Sequence, residues 1–442
     1  MRGSMKREEI IMLCTADLAG QVRGKGFPAS DLETRLRKGI GWTPTNSMIT
    51  AHGPIAPTPW GPYGDTVLTP DPATRVRVDF GPDAAASHFM MGDIMNLDGT
   101  AWSVCPRGFL KRMLRELEAR HGLRIKAAFE HEFMLEGMEE RPNASYALDS
   151  FRRQGQFAET YLGALREAGL EIDTFMPEYG PMQYEVTVGP ADDERSADHA
   201  VAVREIARAV AQHFGHRASF TPILRPDAVG NGVHVHFGLI DAETGAPVNH
   251  DASAPNAVSA KAASFLSGIL ALMPAITAVT AASTISYLRL TPDRWSAAYN
   301  NLGERDREAG LRICPVFPGA GVDVAKQFHF EFRAADAAAS PYMVLGALVA
   351  AGLHGLDEAL PAPQVCRKPP QHMTESERQA LGVVRLPQSL QAALDLFEGE
   401  AALRPLFGEE LVSAYLAHKR FEAELMKDLS PEDQCAKYRQ AY

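Results

Sequence analysis

The chain has 442 residues, 45% of them hydrophobic and 22% charged, with a formal net charge of -11. That length exceeds one typical domain and the composition fills a large core, so two domains are expected. The acidic balance argues against a nucleic-acid or anionic-membrane partner, either of which needs a basic surface to displace counterions, and favours small-molecule chemistry.

In chain order, residues 1–4 ahead of Met5 read as a vector-derived leader and are set aside. From Ile10 to Asp79 short apolar runs alternate with glycine and proline, which predicts a small strand-rich domain over residues 5–104. Its loop from Gly53 to Gly64 carries Pro54, Pro57, Pro59 and Pro62 and is expected to be ordered, since proline lowers the entropy lost on fixing it. Cys105-Pro106-Arg107 then opens an amphipathic helix, Phe109 to Arg120, and with it a second domain over residues 105–442.

Beyond that helix, strands are expected over 124–135, 183–188, 232–239 and 328–333, and helices over 154–168, 196–214, 260–272 and 341–356. The apolar stretches Ala257 to Val279 and Val344 to Leu356 read as buried helices, because the first contains Lys261 and Pro274 and the second is too short to span a bilayer. The tail, 357–442, reads as helical and polar, without a motif. The five cysteines (Cys14, Cys105, Cys314, Cys366, Cys435) are odd in number and lack a Cys-x-x-Cys pair, so they are expected to be reduced, mostly structural, and cytoplasmic.

Three strand segments carry two chemically useful side chains two residues apart: Glu130/Glu132, His234/His236 and Glu331/Arg333. A strand repeats every two residues, so each pair shares a face. Two carboxylates side by side among apolar neighbours repel and lose hydration, and a divalent cation is the simplest compensation. Glu178 and Glu185, joined through the turn at Gly180-Pro181, extend the same logic. An oxygen-rich, histidine-poor donor set favours magnesium or manganese over zinc. Arg289, Arg307, Arg312, Arg333 and Lys326 add groups suited to carboxylate and phosphate. Gly24-Lys25 lacks the spacing of a phosphate loop.

Six segments together resemble the glutamine synthetase superfamily, from about residue 10 to residue 420. They are Glu-His-Glu at 130–132, Gly-Pro-Met-Gln-Tyr-Glu at 180–185, Gly-Asn-Gly-Val-His-Val-His at 230–236, Ser-Tyr-Leu-Arg-Leu at 286–290, Arg-Glu-Ala-Gly-Leu-Arg at 307–312, and Phe-Glu-Phe-Arg with Ser-Pro-Tyr within 330–342. The resemblance implies an α+β fold: a small N-terminal β-grasp domain, then a larger catalytic domain whose curved, mainly antiparallel sheet is backed by helices. It also implies a homo-oligomer of stacked rings, a dodecamer or decamer, with active sites shared between subunits. Two to three Mg2+ or Mn2+ ions are implied per site, one held by Glu132, Glu178 and Glu185, another by Glu130, His234 and Glu331. Arg289, Arg333 and the backbone at Gly230 would hold L-glutamate, while His236, Arg307, Arg312 and Lys326 would handle the phosphates of ATP. The implied reaction activates the glutamate side-chain carboxylate as an acyl phosphate, which an amine then attacks.

The chain departs from that pattern where ammonium would bind. Trp295 stands at the position of the family's flap glutamate, and no Asp or Glu occurs between Glu33 and Asp65, where the loop offers Trp42, His52, Trp60 and Tyr63 instead. Such losses resemble the γ-glutamylamide synthetases that use larger amines. Alkylamines are cations at neutral pH and want a carboxylate, whereas an aniline is neutral and wants an apolar slot, so an aromatic amine is the expectation. Glu304 or Asp306 is the remaining acid near the flap. Gly238 replaces a family serine, and Val229 stands where an asparagine is common, which leaves the acid substrate open. A polyamine or alkylamine ligase, a true glutamine synthetase, a non-ligating phosphotransferase and a structural homologue are the alternatives.

Overall fold

Alternate residues of Ile10–Ala16 are buried at the strand's outer end, and the segment pairs in parallel with Ser87–Met95 near the centre of the first sheet. In this computed structural model, which describes residues 7–140, 145–317, 319 and 321–442, that sheet has six strands. The leader expected at residues 1–4 lies outside the described residues. Val22–Pro28 forms one edge and Ile40–Trp42 the other, giving the β-rich N-terminal domain expected of an α+β chain.

A ten-stranded sheet follows, mainly antiparallel, with Leu123–Glu136 and Val233–Asp241 at its centre. Odd-numbered residues of both, among them Phe129, Phe133, Val233, Val235 and Phe237, are buried against helices, while Glu130, Glu132 and His236 on the other face are only partly covered. The period of two therefore sorts core from cleft. His131, between the two glutamates, points to the core side, where burial pushes its pKa down to about 3 and keeps the ring neutral.

The expected helix over 154–168 is two, Leu148–Arg153 and Gln156–Glu167, because Gly155 adopts a φ of 59° that interrupts the turn. The expected helix over 260–272 runs on through Pro274 as Ala260–Thr280. Proline normally ends such a helix, yet Ala275, Ile276, Ala278 and Val279 are all buried, and their burial outweighs one lost hydrogen bond. Its mean hydropathy of 1.9 would suit a membrane, but it packs inside the fold against Pro341–Asp357. A side chain at Gly268 would lie 2.1 Å from the carbonyl of Ala351, so the small residues permit the close approach.

The tail is less polar in its role than in its composition. His418, Lys419 and Glu422 are fully buried, Tyr438 donates to Glu422 (3.0 Å), and the hydroxyl of Tyr442 donates to the carbonyl of Ala19 (2.5 Å). These residues fasten the C-terminus over the N-terminal loop.

One arginine joins the two sheets' surroundings. Arg107, buried at the start of Pro106–His121, donates twice to Asp198 (both 2.9 Å), once to Asp93 (2.9 Å) and once to Asp71 (2.6 Å). Tyr342 donates to the same Asp198 at 2.7 Å. Arg107→Leu should strand these carboxylates and cost about 3–5 kcal/mol in urea unfolding; a loss under about 1 kcal/mol would show that solvent screens them.

Candidate active site

Strand register assembles the site. Glu130 lies opposite His234, Glu132 opposite Glu185, and Glu331 lies between His236 on one side and Arg312 on the other. Directly opposed side chains on one face are close neighbours, so five strands bring these polar side chains to one patch. Above it opens a cleft of about 1700 Å3 lined by all the predicted site residues except Glu304, Arg312 and Glu331.

His234 is the hub. Its Nδ1 lies 2.6 Å from Glu130 and 3.7 Å from Glu331, and its Nε2 lies 3.9 Å from Glu132. Donor atoms of Glu130, His234 and Glu331 fall within 4.8 Å of one another, as do those of Glu132, Glu185 and His234. The first group is the predicted second ligand set. In the second group His234 stands with Glu132 and Glu185, and Glu178, the third member of the other predicted set, lines the same cleft with its carboxylate accepting from Tyr179 N (2.8 Å) and Tyr146 Oη (3.2 Å).

Burial, together with repulsion from Glu130, Glu132 and Glu178, pushes the Glu185 carboxyl up to about 10. Burial and Glu132 raise Glu178 as well. Burial would also raise Glu130, but His234 and His236 outweigh it and hold that carboxyl well below its ordinary range. Against burial, Arg333, His234 and His236 bring Glu331 down to about 2. Crowded carboxylates with too little local countercharge fit divalent cations, and the oxygen-rich shell suits Mg2+ or Mn2+.

The predicted substrate arginines are buried and only partly satisfied. Arg289 donates to the carbonyl of Ala335 (2.6 Å) and to Ser296 (3.3 Å), while Nε of Arg289, Arg312 and Arg333 has no partner among the described residues. Arg312 donates to Glu331 at 2.7 Å, and Arg333 bonds the other oxygen of that carboxylate. Gly230 makes room for Arg289, since a Cβ there would sit 2.4 Å from the arginine side chain. Arg307 lines the cleft as an exposed side chain, and Lys326 stands at the rim, 74% exposed and 3.7 Å from Asp323.

Two residues escaped sequence reasoning. Gln183 Nε2 donates to Gly230 O (2.9 Å) and Asn231 Oδ1 (2.9 Å) and lies 3.3 Å from Glu132, so it ties the Gly-Asn-Gly loop to the metal face. Glu308 accepts from the backbone N–H of Trp295 (2.7 Å) and of Asp293 (3.3 Å). Both flap residues have positive φ, 55° and 61°, a conformation that bulky side chains avoid, and Glu308 holds it. The presence of both residues inside recognised motifs was the only signal available.

Other expectations are corrected. Glu304 is exposed, does not line the cleft, and has Arg367 as its ionic neighbour at 3.9 Å, while Asp306 caps the backbone of Glu308 (2.9 Å). In the aromatic loop, Trp42 is buried, Trp60 packs edge-on to Trp102 (5.1 Å) and His52 packs on Tyr438 (4.6 Å). Apolar rings bury where they can, and Tyr63, 80% exposed, alone projects outward. Cys314, expected to be structural, stands beside His236 (3.8 Å) at the edge of the site.

Carboxylates that need divalent cations, next to buried arginines with N–H groups to spare, handle a phosphate and a carboxylate together, and on this fold they make the chain an ATP-dependent ligase. It belongs to the glutamine synthetase family: the profile "Glutamine synthetase, catalytic domain" matches residues 103–438 and "Glutamine synthetase N-terminal domain" matches 2–102. The chain is 32% identical to the γ-glutamylpolyamine synthetase GlnA3 of Streptomyces coelicolor over 442 residues, 98% of this chain and 93% of that protein. It is 29% identical to the glutamine synthetase of Pyrococcus furiosus, covering 91% and 87%. A solved "novel glutamine synthase homolog" is 40% identical with a TM-score of 0.91, covering 100% of both chains. A GmaS/ADP complex shares the fold at 23% identity and a TM-score of 0.81, covering 96% and 95%.

Folded, metal-free Glu185 titrates near 10 rather than 4.5, so its proton stabilises the fold fully below the unfolded pKa and ceases to do so as pH rises. Melting temperature of EDTA-treated protein should therefore fall from about pH 6 to about pH 9. Mg2+ or Mn2+ should flatten that slope and release protons on binding; a flat metal-free profile contradicts the crowding. For the flap, Glu308→Ala should raise the amine KM by about tenfold with the ATP KM little changed. Glu308→Gln, which keeps one acceptor, should lose less in the same steady-state assay.

Proposed function

We propose that the protein joins the γ-carboxylate of L-glutamate to an amine larger than ammonia, aromatic or otherwise hydrophobic, through γ-glutamyl phosphate. The observation that carries this reading is Trp295, which lines the cleft 69% exposed while the acids nearest to it are engaged elsewhere. Glu308 holds the flap backbone, and Asp293 accepts from Gln371 (3.1 Å). An exposed indole in place of a flap carboxylate favours a neutral, flat amine over a cation.

In this reading the site residues divide the work. Glu130, His234 and Glu331 would hold one cation, and Glu132 and Glu185 would hold another with Glu178 or His234. When bound, the cations neutralise the phosphoryl group in transfer. Arg289 and Arg333 orient glutamate against the loop at Gly230, with Gln183 fixing that loop. His236, Arg307 and Lys326 line the cleft to meet the phosphates of ATP, with Arg312 behind them on Glu331, and Arg307 and Arg333 meet the developing charge. Outward-facing Tyr63 and Trp295 fit an assembly of rings, dodecameric or decameric, in which a neighbouring subunit closes the amine slot.

A second reading, ligation to a polyamine, is favoured by the 32% identity to a γ-glutamylpolyamine synthetase. Both are tested by phosphate release from ATP with glutamate and Mg2+ across ammonium, ethylamine, putrescine, aniline and chloroaniline, with mass detection of the γ-glutamyl product. The expected outcome is turnover of the anilines, and Trp295→Glu should move preference toward ethylamine or ammonium by about tenfold or more. Preference for putrescine supports the second reading, and preference for ammonium overturns both.

A further inference from the structure

We propose that His236, Cys314 and His329 form a further metal site, softer than the carboxylate clusters, that takes a zinc-class ion. Cys314 directly follows the strand Leu311–Ile313, and its N–H donates to the carbonyl of His329 (3.1 Å) on the neighbouring chain segment. His236 projects from Val233–Asp241 onto the same patch. Donor atoms of the three lie within 4.8 Å of one another.

The spacing fits a tetrahedral ion. His236 Nδ1 lies 3.1 Å from His329 Nε2 and 3.8 Å from Cys314 Sγ. Bond lengths of about 2.05 Å to nitrogen and 2.3 Å to sulfur put two such nitrogens about 3.3 Å apart and nitrogen and sulfur about 3.6 Å apart.

The far side of each ring faces oxygen acceptors. His329 Nδ1 lies 2.6 Å from the carbonyl of Gln327, which only accepts, so that nitrogen carries the proton and Nε2 presents a lone pair. His236 Nε2 faces carboxylate oxygens of Glu130 (3.5 Å) and Glu331 (3.9 Å), so that Nδ1 is the nitrogen turned to Cys314 and His329. The His329 Nε2 lone pair and His236 Nδ1 therefore meet beside a sulfur, joined by either a proton or a cation. An imidazole braced on its outer nitrogen by a carbonyl, as His329 is, is a usual arrangement around a bound metal.

Thiolate with two imidazoles selects zinc or cobalt over magnesium or manganese, which the neighbouring oxygen clusters suit. Glu331 Oε2 lies 4.0 Å from the sulfur but already accepts from Arg312, so the fourth position is left for water from the cleft that His236 and His329 line.

The test is Co2+ titration of the full-length protein saturated with Mg2+, read as near-ultraviolet thiolate-to-cobalt charge transfer, followed by Zn2+ displacement and zinc analysis after dialysis. The expected result is one thiolate-ligated ion per chain. Cys314→Ser should abolish the band, and His329→Gln should weaken retention by at least the ~10–100-fold that loss of an outer-shell partner costs. Glu132→Gln, which alters only the oxygen-rich cluster, should keep the band. Circular dichroism checks that each variant is folded, and if Cys314→Ser is not, the His329→Gln result decides. Absence of the band in wild type, its survival in Cys314→Ser, or unchanged retention in His329→Gln overturns the site and leaves a shared proton as what joins the two rings.

Discussion

Repulsion among carboxylates on one sheet face is the constraint on which the rest of this structure depends. Glu132 and Glu185 are directly opposed across two strands, and Glu130 stands beside them. Like charges so placed destabilise a sheet, and partial burial strengthens the effect because water no longer screens them. The fold answers with His234 at the centre and arginines behind: Arg312 and Arg333 both bond Glu331. What remains unbalanced is the charge that divalent cations supply.

Holding such a face rigid demands support from outside it. The odd-numbered residues of the central strands anchor in a core of helices close enough that Gly268 has no room for a side chain. Arg107 binds aspartates from the N-terminal region and from helix Glu194–His213, so the two sheets are held together by one buried cation. The C-terminal tail adds a second fastening through Glu422 and Tyr442. These contacts lie away from the cleft and fix the geometry within it.

The cleft's two ends differ in character. Along the strands, the donors grade from oxygen-rich around Glu132 and Glu185 to imidazole and thiol around His236, His329 and Cys314. At the flap, a backbone with two positive φ values displays an indole where a carboxylate would attract a cation.

By itself the sequence determined the local periods and the chemistry they carry. Pairs two residues apart marked Glu130/Glu132, His234/His236 and Glu331/Arg333 as shared faces, and helical spacing marked Pro106–His121 and Pro341–Asp357, because both signals arise from neighbours along the chain. The six recognised segments led to the fold. Only the tertiary structure decided which strand lies beside which, and so that His234 stands among Glu130, Glu132 and Glu331. It decided likewise that Glu304 turns away from the cleft, that three loop aromatics are packed within the chain, and that Glu308 and Gln183 carry backbone-holding roles. Those outcomes depend on register and on contacts between residues distant in sequence, where no local period reaches.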